Sequence, residues 1–159
     1  MNNKLTPERI APRGALIMAQ LRKEADMREI KFRGKRLDGS WIYGDLWHRP
    51  YTKDWVTIVS FMEDTGGFVV IPETVGQYTG LKDKNGIEIY EGDIVLCKIH
   101  DKEYMGLVEY TNTYGFYYLS GMGRSDTELW GCNEKKVLGN IYENPELIQQ
   151  QDQEEARHD

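Results

Sequence analysis

Apolar and polar residues alternate over several short segments of the chain, which is the pattern of half-buried β-strands. The first segment follows residue 28, where Ile30 and Phe32 alternate with charged residues, so we expect the cations of this strand to face solvent. Further strands are predicted at residues 41–43, 55–61, 68–71, 94–99, 106–110, 116–119 and 137–142. The pattern therefore predicts a mainly β fold.

Glycine-containing turns separate these strands. Asn85-Gly86 stands between two strand segments and predicts a tight two-residue hairpin turn. Glu91-Gly92-Asp93 predicts a second turn, which leads into the strand that starts at Ile94. This part of the chain is therefore a strand, a turn and a strand, followed closely by another turn.

Helical signals lie near the two ends. Thr6-Pro7 is a helix-start pattern, and residues 15–25 are rich in helix formers, with Ile17 and Leu21 on one face. A helix this short needs a surface to pack on. It is either a leader that precedes the folded body, which is the interpretation we favour, or an arm that docks on a neighbouring subunit.

The C-terminal end shows two further signals. Asn144-Pro145 predicts one closing helical turn, with Asn as the cap and Pro at the first helical position. Residues 149–159 are rich in carboxylates and predict a solvated acidic tail.

Three stretches of the sequence resemble the YopX family of phage and prophage proteins. Residues 75–95, VGQYTGLKDKNGIEIYEGDIV, are similar to the hallmark segment of that family. Residues 27–46, MREIKFRGKRLDGSWIYGDL, resemble its usual opening, and residues 139–148, GNIYENPELI, resemble its usual ending. The resemblance runs from Met27 to Ile148, which is most of the chain.

The resemblance implies a domain organisation. YopX-type proteins are β-rich, and their C-terminal part folds as a small SH3-like barrel. We therefore expect a helical N-terminal extension at residues 1–26, a β-sheet region at 27–78, an SH3-like barrel at 79–148 and an acidic tail at 149–159. The resemblance implies a phage- or prophage-encoded accessory protein and no particular activity.

Composition agrees with a turn-rich β protein, since the 159 residues include 16 Gly, 10 Tyr and 4 Trp. The formal net charge of -6 argues against a dedicated duplex-DNA binder, because Lys and Arg dominate phosphate affinity. Cys97 lies inside an apolar strand and forms no CxxC pair with Cys132, so a buried thiol is favoured over a redox or disulfide role. No apolar run of about 18 residues is present, and we expect a cytoplasmic protein of the bacterial host without membrane contact.

The sequence contains no convincing catalytic or metal-binding motif. Asp83-Lys84-Asn85-Gly86 has its Gly in the fourth place rather than the sixth, which a calcium loop requires. Cys97 and His100 are an odd number of positions apart on one strand and point to opposite faces, which disfavours a metal pair or a Cys-His dyad. We therefore predict no catalytic residue, no metal and no cofactor. An enzyme would need Asp93, Glu91 or His100 to converge in one cleft.

The first candidate binding surface is basic. It combines Arg28, Lys31, Arg33, Lys35 and Arg36 with the nearby Trp41. Cations interleaved with aromatic rings suit single-stranded nucleic acid, whose bases stack on the rings. The same alternation also places half of the rings in a β core and leaves the cations as a solubilising face. We favour this second interpretation.

The second candidate surface is aromatic. It consists of Tyr114, Phe116, Tyr117 and Tyr118. On a small barrel some of these rings face outward and form a patch suited to protein contact, whereas the alternative is a core strand with a tyrosine edge. We predict a non-enzymatic module that binds a host or phage protein, with single-stranded nucleic-acid binding as the alternative. We also expect a homo-oligomer, because short strands leave unpaired edges.

Overall fold

The computed structural model describes residues 29–48, 56–59, 67–100, 102–121 and 127–149. Two short 3-10 helices, Pro72–Thr74 and Leu129–Gly131, and a helical turn at residues 146–149 accompany the strands. The strands are β1 (Phe32–Lys35), β2 (Trp41–His48), β3 (Val56–Val59), β4 (Gly67–Val70), β5 (Gly76–Lys82), β6 (Glu88–Tyr90), β7 (Asp93–Ile99), β8 (Lys102–Thr111), β9 (Phe116–Ser120), β10 (Thr127–Glu128) and β11 (Glu134–Asn140). The predicted mainly β fold is confirmed.

The strands form two antiparallel sheets. The first has the order β4-β3-β2-β1-β5-β6, and the second has the order β10-β9-β8-β7-β11. These described strands do not close into a barrel, so the SH3-like barrel expected at residues 79–148 is not confirmed. The expected domain boundary at Thr79 falls inside β5, whose N-terminal end pairs with β1 through Gln77 and Phe32.

The closing helical turn is present as predicted. The backbone carbonyl of Asn144 accepts the Leu147 N–H at 3.1 Å, and residues 146–149 are helical. The predicted helix at residues 15–25 lies outside the described residues, as does the acidic tail beyond residue 149.

The smaller of the two hydrophobic cores is formed by apolar side chains of strands β1 to β4. Its buried members are Ile42, Val56, Ile58 and Val70. An isolated bridge between Arg36 and Val70 brings the end of β4 back to the end of β1. Gly34 allows this close approach, because a Cβ at that position would lie 2.9 Å from the Val70 side chain.

The larger core lies between the five-stranded sheet and the hairpin formed by β5 and β6. Its buried members are Ile89, Val95, Cys97, Val108, Tyr117, Leu119, Leu129 and Cys132. Ile89 comes from β6 of the first sheet, and Leu81 of β5 packs against the same cluster. The hairpin of the first sheet therefore covers the inner face of the second.

Cys97 and Cys132 form a disulfide inside this larger core, with their Cα atoms 5.6 Å apart. The prediction of a buried free thiol is therefore wrong. Cys97 pairs with Lys135 across β7 and β11, and the 3-10 helix before β11 ends at Cys132. Strand pairing thus places the two sulfur atoms together, which the 35-residue separation in sequence did not indicate.

The turn between β5 and β6 is found where it was predicted, but it is one residue longer than the predicted two-residue turn. The Asp83 N–H donates to the Ile87 carbonyl at 2.7 Å, so residues 84–86 form a three-residue loop. Gly86 alone among them has a positive φ, at 83°, which is the usual place for Gly in such a loop. The Asp83 carboxylate favours this geometry by accepting the N–H groups of Asn85 and Ile87.

The same turn joins the two sheets. The Val137 N–H donates to the Asp83 carboxylate at 3.2 Å, and the Lys84 N–H donates to the Lys135 carbonyl at 3.0 Å. Burial alone raises the pKa of Asp83, but the hydrogen bonds from Ile87, Asn85 and Val137 outweigh it and hold this pKa below its usual value. The ionised carboxylate therefore anchors the turn to the edge of β11.

Candidate functional site

The aromatic hairpin (residues 102–120) presents one exposed ring, that of Tyr114, at its tip. Strands β8 and β9 pair from Leu107 and Ser120 to Thr111 and Phe116. Tyr114 lies in the connecting turn, where it is 75% exposed, and its ring stacks on that of Phe116 with centroids 5.8 Å apart and planes at 16°. The rest of the described chain therefore leaves most of the Tyr114 ring uncovered, whereas Phe116 is partly buried.

The rings of β9 alternate between its two faces. Tyr117 points into the larger core, is 8% exposed, and meets Tyr110 of β8 edge to face at 5.1 Å. Phe116 and Tyr118 lie on the opposite face, and the Tyr118 hydroxyl donates to the Glu109 carboxylate at 3.2 Å. Of the four predicted aromatic residues, three therefore face outward or lie at the tip, and Tyr117 belongs to the core.

A groove lies beside the aromatic hairpin, and we name it the edge groove. Its volume is about 510 Å³. Apolar residues and two glutamates line it, namely Val75, Leu107, Tyr110, Ile141, Tyr142, Glu91 and Glu109. It lies between the C-terminal half of β8 and the turn at Gly92, whose positive φ of 79° and close contact with the Tyr142 ring require glycine.

Arg33 of the predicted basic cluster does not face solvent. It is 6% exposed, its Nη1 lies 2.5 Å from Oδ1 of Asp93, and its Nη2 donates to the Glu91 carbonyl at 3.0 Å. The rings of Trp41 and Tyr90 lie 4.9 and 5.1 Å from the guanidinium carbon. The prediction that the cations of β1 all face solvent is therefore wrong, because the second sheet packs on that side of the strand.

The remaining described cations of this cluster each have a carboxylate partner. Lys31 contacts Glu88 at 2.6 Å and Glu29 at 3.1 Å. The two other pairs are Lys35 with Glu143 at 3.1 Å and Arg36 with Asp38 at 3.3 Å. Trp41 packs against Tyr142 at 6.0 Å and beneath Arg33, so its ring is engaged within the protein. Arg28 lies outside the described residues.

A small cleft of about 280 Å³ opens over the Arg33–Asp93 pair. Tyr43 and Tyr90 line one side with centroids 5.6 Å apart, and the Tyr90 hydroxyl donates to Glu88 at 2.9 Å. Burial and this hydrogen bond raise the pKa of Tyr90 well above its usual value. The phenol therefore stays neutral and serves as a hydrogen-bond donor rather than as a base.

The three residues considered for catalysis do not share a pocket. Asp93 lines the cleft and Glu91 lines the edge groove, whereas His100 lines neither. Burial raises the pKa of Asp93, against the opposing effects of Arg33 and of the Tyr90 N–H. Among the residues described, no group of three or more His, Cys, Asp and Glu is placed to hold a metal ion, and no helix within them is long and apolar enough to span a membrane.

Sequence reasoning missed the edge groove. Glu109 and Tyr110 belong to a strand that was predicted, but Val75, Ile141 and Tyr142 reach the same place only through the packing of the two sheets. The predicted turn at Glu91-Gly92 was a local signal for such a groove. A turn between two strands interrupts strand pairing and leaves part of a neighbouring strand edge without a partner.

The chain is similar to a known protein family and to a solved structure. The family model described as YopX protein matches residues 31–149. A solved structure, the crystal structure of protein EF1440 from Enterococcus faecalis, is similar over 77% of this chain and 99% of that chain, with 23% sequence identity and a TM-score of 0.48. No curated protein matches the chain.

Proposed function

The chain belongs to the YopX family, and we propose that it is a phage- or prophage-encoded accessory protein that binds a host or phage protein through the aromatic hairpin. The proposal includes no catalytic step and places the protein in the host cytoplasm. The observation that carries it is the exposed Tyr114 ring, which stacks on the partly buried ring of Phe116.

Exposed aromatic rings suit protein recognition for a physical reason. A ring that is already held by a stacking neighbour loses little conformational freedom on binding, so most of the area it buries stabilises the complex. Phe116 is fixed by its place in β9, and Tyr114 is oriented by Phe116. Tyr118 adds a third ring on the same face of the strand, with its hydroxyl oriented by Glu109.

Charge supports a protein partner over nucleic acid. The formal net charge is -6, and Lys31, Arg33, Lys35 and Arg36 are each paired with a carboxylate. A phosphate would have to compete with these carboxylates, and Arg33 would have to leave a buried site. Single-stranded nucleic acid therefore remains the alternative that the test must address.

Affinity capture from host cells tests the proposal. Tagged full-length protein is crosslinked, recovered with and without nuclease treatment, and analysed for both protein and nucleic acid. We expect a protein partner that survives nuclease and that Tyr114→Ala fails to retain. Leu37→Ala is the matched control, because Leu37 is 83% exposed in the turn after β1 of the other sheet. Recovery of nucleic acid alone, or of no partner, contradicts the proposal.

The homo-oligomer remains a prediction. Light scattering during size exclusion measures the molar mass of the full chain across its accessible concentration range. A mass near the 18.5 kDa of one chain at every concentration contradicts it.

A further inference from the structure

Strand β8 extends beyond the strand that pairs with it on one side. The pairing of β7 with β8 ends at Ile94 and Leu107, and the Gly92 N–H then donates to the Val108 carbonyl at 3.0 Å. Residues 109–111 continue to pair with β9 on the other side. Beyond Val108, this edge of β8 therefore has no partner strand within the described parts of the chain.

The backbone of Tyr110 points into the edge groove. The Val108 carbonyl points away from β9, because it accepts a hydrogen bond from Gly92. Backbone groups of alternate residues point to the same side of a strand, so the N–H and carbonyl of Tyr110 share this direction. Neither forms a hydrogen bond with another described residue on that side. Unpaired N–H and carbonyl groups at a strand edge are the groups with which an extended peptide pairs.

The side chains around this edge define what such a peptide would carry. Tyr110 and Tyr142 provide apolar contact within a groove large enough for several side chains. Glu91 accepts the Gln77 N–H through Oε2, and Glu109 accepts the Tyr118 hydroxyl through Oε2. Neither carboxylate has a Lys or Arg partner among the described residues. Two carboxylates without cations favour a positively charged ligand.

We propose that the edge groove binds an extended peptide segment of the partner protein, in which apolar residues alternate with Lys or Arg. The segment pairs its backbone with Tyr110 as an added strand, places its apolar side chains against the rings of Tyr110 and Tyr142, and presents its cations to Glu91 and Glu109. This inference rests on the proposed function and names the chemistry of the partner next to the aromatic hairpin.

A synthetic peptide tests the edge groove directly. The probe is acetyl-Thr-Lys-Val-Lys-Val-Lys-Thr-amide, titrated into isotope-labelled full-length protein and followed by amide chemical shifts. We expect saturable shifts at the Tyr110 amide and its neighbours, and affinity that falls as salt is added. Glu109→Gln should weaken binding by about threefold, the size expected for one partly exposed charge pair. Glu103→Gln, on the same strand but outside the groove, should leave the affinity unchanged.

Two altered probes separate strand pairing from charge attraction. A probe with Glu in place of Lys should not bind, and a probe N-methylated at alternate amides should lose binding although its charge is intact. The proposal is overturned by shifts that map away from Tyr110, by a methylated probe that binds as well as the original, or by no binding at all.

One more outcome concerns this chain itself. Residues 1–28 contain six Lys and Arg against three Asp and Glu. If the probe binds only after residues 1–28 are deleted, that segment and not a partner peptide occupies the groove, and the proposal is overturned. Failure of the groove leaves the proposed function standing if Tyr114→Ala still abolishes partner capture, so the two are distinguishable.

Discussion

The guanidinium of Arg33 and the carboxylate of Asp93 form a buried ion pair between β1 of the six-stranded sheet and β7 of the five-stranded sheet. Nη1 and Oδ1 are 2.5 Å apart, and the two side chains are 8% and 2% exposed. The Tyr90 N–H donates to the other Asp93 oxygen at 2.8 Å. The pair therefore fixes how β1 lies against β7, which in turn positions the Glu91-Gly92 turn at the edge groove.

A double-mutant cycle tests this ion pair. We expect Arg33→Met alone to lower the free energy of unfolding by about 3–5 kcal/mol, because it leaves the Asp93 charge buried without a counterion. Asp93→Asn alone should be similarly costly. The double variant should be more stable than either single variant, since no unpaired charge remains. Urea unfolding measures all four proteins, and strictly additive losses would contradict the coupling.

Asp83 should make stability depend on acid pH. Because its pKa is lowered in the folded state, its contribution is complete above the unfolded pKa of about 3.9 and is lost as pH falls through the folded value. Asp83→Asn should lose about 2 kcal/mol at neutral pH, since a charged acceptor of three N–H groups is replaced. Below the unfolded pKa the variant should lose stability less steeply than the wild type. Parallel pH profiles measured by urea unfolding would refute this role.

The disulfide between Cys97 and Cys132 should be present in protein purified without reductant. Thiol titration of the denatured chain should then find no free thiol. Reduction should lower the free energy of unfolding by about 2–5 kcal/mol, because the bond closes a long loop. The variant with Cys97→Val and Cys132→Ala is the control, and its stability should not respond to reductant. Two titratable thiols in the oxidised sample would show that the bond does not form.

Any side chain at position 76 should lower the stability of the protein. A Cβ there would lie 2.5 Å from the carbonyl oxygen of Glu91, which also accepts the hydrogen bond from Arg33. We expect Gly76→Ala to cost about 1–3 kcal/mol through displacement of this backbone. Gly131→Ala is the matched control, because nothing lies within 4 Å of its Cβ position. Equal melting temperatures for the two variants would show that the backbone at Glu91 moves without cost.

Local patterns predicted the strands of the second sheet well and the contacts between sheets poorly. A continuous apolar run located β7, which buries both faces near Ile94 and Val95, and apolar residues located β8 and β9, which bury one face each. The same rule assigned Arg33 to solvent, because its partner Asp93 is 60 positions away and meets it only after the sheets pack. Sequence spacing carries no information about such a distance.

The candidate site shows the same limit. The aromatic run around Tyr114 was visible in the sequence, and alternation implied that its rings divide between two faces. Which ring is buried depended on register, since the pairing of β9 with β8 turns Tyr117 toward the larger core. The edge groove exists because β7 stops pairing with β8 at Ile94 and Leu107. The sequence of either strand alone does not predict where their pairing ends.

The affinity of the captured partner for three versions of this protein tests the central claim most directly. Calorimetry would compare wild type with Tyr114→Phe, which keeps the ring, and Tyr114→Ala, which removes it. If the exposed Tyr114 ring, stacked on Phe116, is the centre of the binding surface, Tyr114→Phe should bind within about twofold of wild type, and Tyr114→Ala should bind about 30-fold more weakly, as expected for an aromatic hot spot. An alanine variant that binds as tightly as wild type would contradict the claim that the aromatic hairpin binds the partner.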